Sequence, residues 1–300
     1  MQQQVTPQPL VSVIIPVFND PLGLEQSLSA LDNQTSRVPF EVIVVDNDSI
    51  PRIAIPFKQF PELTIHGFIC NTPGSYAARN HGLKHARGQI IAFLDADCIP
   101  ARNWLTEGVS VIEKEKYAAM IGGDVVFKKP ALPTAVSRYQ CALGFQQQNN
   151  IQLKGFGATA NLWVPRKAEQ SIGPFREDLL SGGDREWCAR GFTKGFPIKF
   201  APNLIVTTLP RTRLRSAVRQ ARRVAGGRMQ LKNKTSDYFH EEAVKKGYQK
   251  ESLKKRLARI WTLDYSVSEK IAILLNAAII WAAGQLEIIR IVLGGKPERR

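Results

Sequence analysis

Histidine and cysteine are scarce in this sequence, four of each in 300 residues, and neither forms a ligand-like cluster. Cys70, Cys98, Cys141 and Cys188 are scattered without a CxxC spacing, which argues against a zinc ribbon or a disulfide scaffold and suits a reducing, cytosolic compartment. His66, His81, His85 and His240 make no metal-ligand pair, so they read as surface or packing residues. The opening MQQQVTPQP lacks the apolar core of a signal peptide, giving the expectation of a protein that is not exported. No glycine-rich phosphate loop follows the first apolar run, where PVFNDPLG stands instead. Zinc-finger spacing, an aromatic RNA-binding signature, internal repeats and low-complexity segments are all missing. Acidic residues are outnumbered too, 26 against 41 Lys and Arg, leaving a net charge of +15. That surplus calls for an anionic partner: nucleic acid, phospholipid headgroups or a phosphorylated small molecule.

What is present is a series of buried strands that end in acids. LVSVIIPVF, FEVIVVDNDS and QIIAFLDADC are near-continuous apolar runs, the pattern of strands covered on both faces. LTIHGF reads as a further strand. Helical stretches alternate with them: one marked by Leu24, Leu28 and Leu31, one in SYAARNHGLKHAR capped by Ser75 and stopped at Gly88, and one in NWLTEGVSVIEKEK. Alternation of this kind predicts βαβ units and a mostly parallel, Rossmann-like sheet with flanking helices. In such sheets ligands bind beyond the carboxyl ends of the strands. Three strands end there in polar clusters, Asn19–Asp20, Asp46–Asn47–Asp48 and Asp95–Asp97, which should converge on one edge. Two ionised carboxylates at the end of a buried strand exceed what a helix cap requires and demand a cation.

Past YAAMIGGDVVFKKP the alternation fades. GFGATANLWVP and LLSGGDREWCARG look loop-like, and FPIKFAP and LIVTTLP look like two short strands. Seven arginines and no acid fall between Arg211 and Arg228. A Lys-rich stretch from Lys245 to Arg259 then precedes an apolar one, Ile271 to Leu286, too short for the roughly 20 residues that span a bilayer. At helical spacing Asn276, Glu287 and Arg290 share one narrow face there and the rest is apolar. Three readings stay open for this segment: a helix lying in a membrane interface, a transmembrane or re-entrant segment, and packing on the domain or on a second subunit. The composition divides the chain into a disordered tail over 1–9, a catalytic domain over 10–235 and a basic, apolar helical extension over 236–300.

VSVIIPVFND, EVIVVDNDS, AARNHGLKHARGQIIAFLDADC and GGDREWCARG, in that order, resemble the GT-A fold glycosyltransferases of family 2 over roughly Leu10 to Gly227. The resemblance implies inverting transfer of a sugar from a nucleotide-diphosphate sugar, UDP- or GDP-linked, to an acceptor hydroxyl on a glycan or lipid-linked acceptor. A divalent metal, Mn²⁺ or Mg²⁺, is implied as cofactor, shared between carboxylates and the donor diphosphate rather than caged by side chains. Asp97 then ligates the metal, with Asp95 beside it near the ribose or bridging through water. Asp46 contacts the nucleobase, Pro16 and Phe18 shape the base pocket, and Arg79 faces the nucleotide. Asp48 either joins them or makes an Asx-turn. Asp184 aligns with the catalytic base, with Glu186 on the same segment as its rival and Trp187 either lining the acceptor side or filling core. The sequence departs from the family at Gly183, where a Glu is common, and after the last strand, where IVTTLPRTRLRS has no histidine and arginine stands ready for phosphate.

The expectation is a metal-dependent glycosyltransferase of polysaccharide or glycolipid assembly, peripheral on an anionic cytoplasmic membrane face, with no nucleic-acid partner. A sugar nucleotidyltransferase, a catalytically inactive nucleotide binder of the same fold and, more remotely, a nucleic-acid binder are the rivals.

Overall fold

Period-two alternation builds the sheet. In β1 (Val11–Val17) Val11, Val13, Ile15 and Val17 enter one core and Ile14 the other, and in β2 (Phe40–Asp46) Val42 and Val44 oppose Ile43 and Val45. Every one of these side chains is buried, as a strand covered on both faces requires. The computed structural model describes residues 8–36, 38–232, 258 and 260–297. The remaining strands are β3 (Ile65–Ile69), β4 (Ile90–Leu94), β5 (Cys98–Pro100), β6 (Met120–Phe127), β7 (Asn161–Pro165) and β8 (Ile198–Thr208), and all eight form one sheet in the order β3-β2-β1-β4-β7-β6-β8-β5.

One core lies under α1 (Pro21–Asp32) and α3 (Trp104–Lys114), where Leu24, Leu28 and Leu31 make the predicted stripe. The other lies under α2 (Ser75–His85), α6 (Arg166–Ile172) and α7 (Gly183–Thr193). Between β6 and β7 come α4 (Ala135–Leu143) and α5 (Gln147–Lys154), and after β8 come α8 (Leu214–Lys232) and α9 (Val267–Val292).

Parallel pairing holds for β3-β2-β1-β4 and for β6-β8, whereas β7 and β5 run antiparallel to their neighbours. The sheet is therefore mixed. β4 and β6 both oppose β7, so β1, β2, β3, β4, β6 and β8 all end on one edge. Four local expectations need correction. GFGATANLWVP is not a loop: Asn161–Pro165 is β7, wholly buried in the middle of the sheet, and its glycine-rich lead-in hides a short apolar strand. LLSGGDREWCARG is likewise mostly helix, since α7 starts at Gly183. FPIKFAP and LIVTTLP are one strand interrupted by a register shift opposite Gly123/Asp124, where Pro202 cannot donate to a ladder. Asn161 Nδ2 fills that interruption, donating to the carbonyls of Asp124 and Leu204 at 2.9 and 2.8 Å. Finally, Ser75 is the first residue of α2 and not its cap. Gly74 precedes it, and Gly74 N–H donates instead to Asn47 Oδ1 at 2.7 Å.

α9 packs on α8 and α4. Ile273 and Glu287 face that contact and are buried, while Ile271, Leu275, Ile279, Trp281, Leu286 and Ile289 are exposed. At 26 residues, with a mean hydropathy of 1.7 over its most apolar 18-residue window, it is longer than the uncharged stretch suggested; among the described residues it alone is long and apolar enough to cross a membrane. The Lys-rich stretch and His240 lie almost wholly or wholly outside the described residues, as does most of the 1–9 tail.

Candidate active site

The polar clusters at the strand ends converge as the pattern predicted. Asn19, in the left-handed region at φ 52°, accepts from Ile50 N–H through Oδ1 at 2.8 Å, and its own N–H donates to Ser49 Oγ at 2.8 Å. These bonds tie the end of β1 to the end of β2. Asn47 ties β2 onward, donating to the carbonyls of Cys70 and Thr72 at 3.0 and 2.7 Å ahead of α2. Asp46 is buried and accepts from Ser49 N–H and Ile53 N–H, both at 3.1 Å, so its carboxylate shapes the following loop. Asp48 follows in the left-handed region at φ 63° and is half-buried. Pro16 is half-buried and Phe18 exposed, at and just past the end of β1. Of the two readings open for Asp48, the Asx-like turn is made instead by Asp46.

Asp95 and Asp97 lie just beyond β4. Arg79 on α2 is buried and ion-pairs with Asp95 Oδ1, while its Nε has no hydrogen-bond partner. It is thus no surface arginine; it sits behind the acidic pair and orients one member of it. Asp97 is open to solvent on one side and walled by protein on the others. That enclosure, the charge on Asp95 and a smaller push from Asp20 move its carboxyl up to about 6. The larger of two opposing influences is Arg211, just past β8; the smaller is a hydrogen bond from the backbone N–H of Asp97 itself. Burial lowers the Arg211 pKa, Asp97 raises it, and its guanidinium makes no hydrogen bond among the described residues. Gln140 on α4 fixes the backbone there, its Oε1 accepting from Arg211 N–H at 2.6 Å. The run of arginines in the sequence gave no hint of which one would reach the carboxylates.

Hard oxygen donors crowded against their own repulsion fit a divalent cation of the Mg²⁺ or Mn²⁺ type. No cluster of three or more His, Cys, Asp or Glu side chains able to hold a metal occurs among the described residues, so protein atoms alone would not enclose it. His66 lies 3.4 Å from Glu41, and His81 and His85 pack with Phe68, all away from this edge.

Asp184 stands in the first turn of α7, half-buried, and its Oδ1 accepts from the Tyr76 hydroxyl at 2.5 Å. Glu186, two residues on, is buried and paired with Arg190 at 2.8 Å. Its carboxylate is already committed. Trp187 is core: fully buried, stacked on Phe175 at 4.7 Å and donating Nε1 to the Gly173 carbonyl at 2.8 Å. Tyr76 had no signal in the sequence, since its partner is 108 residues away.

The family model for Glycosyl transferase family 2 matches residues 12–172, more than half of the chain. The chain belongs to this family. It is 37% identical over 204 residues to glycosyltransferase AglE of Haloferax volcanii, covering 66% of each chain. Identity to the pre-mycofactocin glycosyltransferase of Mycobacterium tuberculosis is 27% over 218 residues, 68% of this chain and 44% of that one. The match thus spans less than half the mycobacterial relative's length. A 115-residue segment, 38% of this chain and 45% of the relative, is 34% identical to the Escherichia coli enzyme WfgD, a UDP-Glc:alpha-D-GlcNAc-diphosphoundecaprenol beta-1,3-glucosyltransferase. Among solved structures, the mannosyltransferase PcManGT from Pyrobaculum calidifontis, in complex with GDP-Man and Mn²⁺, superposes with a TM-score of 0.60 at 18% identity, over 95% of this chain and 86% of that one. TarS 1–349 of S. aureus, in complex with UDP-GlcNAc, gives 0.50 at 15%, over 95% and 92%. These likenesses establish the GT-A fold for the family 2 chain described here.

Proposed function

We propose that this family 2 chain is an inverting glycosyltransferase that moves a sugar from a UDP- or GDP-sugar to a hydroxyl of a glycan or lipid-linked acceptor. The observation that carries the reading is the meeting, on one sheet edge, of the Asp95–Asp97 pair, the guanidinium of Arg211, without a hydrogen bond among the described residues, and the Tyr76-held carboxylate of Asp184. The nucleotide sugars and Mn²⁺ bound by the GT-A neighbours support the same donor class.

Asp97, with Asp95 beside it, would hold the divalent cation; when bound, that ion neutralises charge growing on the departing diphosphate. Arg79 keeps Asp95 turned toward the site. Arg211 meets diphosphate oxygens from the side of β8, where a planar guanidinium suits phosphate. Pro16, Phe18, Asp46 and Asp48 border the place for the base and ribose, Asp46 by holding the loop that forms its wall. Asp184 takes the proton of the acceptor hydroxyl as that oxygen attacks the anomeric carbon opposite the diphosphate. The new carbon–oxygen bond forms while the bond to the diphosphate breaks, and the electron pair leaves with the diphosphate. One displacement of this kind inverts the anomeric centre.

The reading includes attachment to the cytoplasmic face of an anionic membrane, and α9 supports the membrane contact. Its acid Glu287 is turned inward to Arg222 on α8 and to Arg290, and its apolar side is left outward. A helix lying in the interface fits that arrangement, and a 236–300 extension carrying it fits the shift in composition. The deciding experiment is calorimetric titration of UDP and GDP with and without Mn²⁺, followed by transfer assays on lipid-linked saccharides. Metal-dependent binding of one nucleotide is expected; binding of neither would refute the reading.

A further inference from the structure

The sheet leaves a gap beside the active edge. β7 pairs with β6 only at Ile121 and Gly122, so beyond the register shift at Gly123/Asp124 the flank of β6 away from β8 has no strand beside it. The connection from α4 to α5 covers that flank, and between them lies an open cleft of about 320 Å³. It is walled by Asp124–Phe127, Cys141 and Gly144–Asn149.

The chemistry of the wall is selective. No lysine or arginine lines it, although the chain carries +15, so phosphate is a poor fit. Amides dominate instead. Gln147 is buried and spent on the carbonyl and N–H of Ala158. Gln146 accepts from Asn149 at 2.6 Å and donates to the Leu143 carbonyl. Gln148 is exposed and its side chain makes no hydrogen bond among the described residues, and Asp124 uses one carboxylate oxygen, on Val125 N–H at 2.9 Å. Two half-buried rings, Phe127 and Phe145, lie 6.0 Å apart beside these groups. Amides and a carboxylate that accept and donate to hydroxyls, next to aromatic faces for C–H groups, match a neutral pyranose.

The position is equally informative. Phe127 pairs with Thr208 and Thr208 with Cys98, which follows Asp97. Two strand spacings, roughly 10 Å, therefore separate Phe127, on the near wall of the cleft, from Cys98 beside the acidic pair. α4 forms one wall with Cys141 and, through the adjacent Gln140, holds the backbone of Arg211.

We propose that this cleft is a saccharide subsite that receives a neutral sugar unit of the acceptor; its acceptor role, though not its sugar chemistry, rests on the transferase reading above. Cys141 is its built-in reporter, half-buried while the other three cysteines are buried. Alkylation of Cys141 by N-ethylmaleimide in the full chain, followed by mass spectrometry at alkaline pH because burial raises the thiol's pKa, measures access to the cleft. The probes are the methyl glycosides of glucose, galactose, mannose and N-acetylglucosamine. At least one should slow alkylation several-fold, and Gln148→Trp, which plugs the cleft from an exposed position, should abolish that protection while leaving UDP or GDP binding with Mn²⁺ unchanged. Should Cys141 prove unreactive, Gln148→Cys replaces it as the reporter. No protection by any of the four sugars, in a protein that still transfers from a nucleotide sugar, overturns the subsite and spares the transferase reading. Protection that survives Gln148→Trp overturns its location. Protection in a protein that binds neither nucleotide keeps the sugar site and removes its acceptor role.

Discussion

The Tyr76 hydroxyl donates to Asp184 Oδ1 at 2.5 Å and accepts from Gly183 N–H at 2.9 Å, joining the start of α2 to the start of α7. Burial and the charge of Asp184 hold the Tyr76 pKa well above its ordinary value, so the phenol stays a donor at any working pH. Tyr76 thereby fixes one oxygen of the proposed base and leaves the other for the acceptor. Tyr76→Phe removes a hydrogen bond to a charged group, an interaction typically contributing about 1.5–3 kcal/mol. Transfer should fall by roughly 10- to 100-fold with donor affinity intact. Transfer that is undiminished in Tyr76→Phe would reduce Tyr76 to a packing residue.

The same tyrosine accounts for Gly183, where family members commonly carry Glu. A Cβ at Gly183 would lie 2.6 Å from the Tyr76 ring. Gly183→Glu alone should therefore lower the melting temperature by several degrees, whereas combining it with Tyr76→Ala should recover part of that loss. Additive losses in the double variant would show that the two positions do not compete for one space.

Much of this arrangement was legible in the sequence, and the reasons differ by residue. Asp95 and Asp97 announce themselves because two acids at the end of a buried strand exceed what a cap requires, whereas Asp46, marked by the same pattern, is bonded to the N–H groups of Ser49 and Ile53. Asp184 rests on the motif resemblance, and its preference over Glu186 became physical only through the Glu186–Arg190 pair. Tyr76 and Arg211 were illegible, since each acts across a tertiary contact that no local pattern encodes. β7 was missed because the antiparallel insertion of Asn161–Pro165 breaks the βαβ rhythm on which the reading relied.

Asp97→Asn should raise the melting temperature of the metal-free protein. The folded-state pKa of Asp97 is raised from 3.8 to about 6, so the native state favours the protonated form. Its stabilising contribution is complete below about pH 4 and is lost as pH rises through 6. Asn imitates the protonated form, so the gain should be present above pH 6 and fade toward pH 4, modest in size because the side chain is partly solvated. Metal-dependent nucleotide binding should vanish in the same variant. A lower melting temperature at neutral pH in chelator would contradict the crowding of carboxylates.

Arg211→Met tests the substitute for the missing histidine. If the guanidinium meets the diphosphate, affinity for UDP or GDP should drop roughly 10- to 100-fold, the equivalent of one charged hydrogen bond. Affinity for the matching monophosphate should drop less. Equal losses for both nucleotides would mean that Arg211 acts elsewhere than at the second phosphate.

α9 offers the last test, because its polarity is inverted relative to a helix packed on a water-soluble domain. Glu287 is buried and bonded to Arg222 at 3.1 Å and to Arg290 at 2.6 Å, while Leu275 and Trp281 are 60% and 67% exposed. An acid turned inward and large apolar side chains turned outward imply a low-dielectric environment outside. Leu275→Lys with Trp281→Lys adds positive charge, so a purely electrostatic attachment would strengthen. If apolar insertion dominates, binding to vesicles containing phosphatidylserine should instead fall at least tenfold, with the fold unchanged by circular dichroism. Raising the salt concentration should weaken what remains, since the contribution of Lys and Arg is about 1 kcal/mol each near an anionic surface and is screened. Vesicle binding that rises in the double variant would assign attachment to charge alone. Loss of oligomer without loss of vesicle binding would assign the apolar face of α9 to a second copy of the chain.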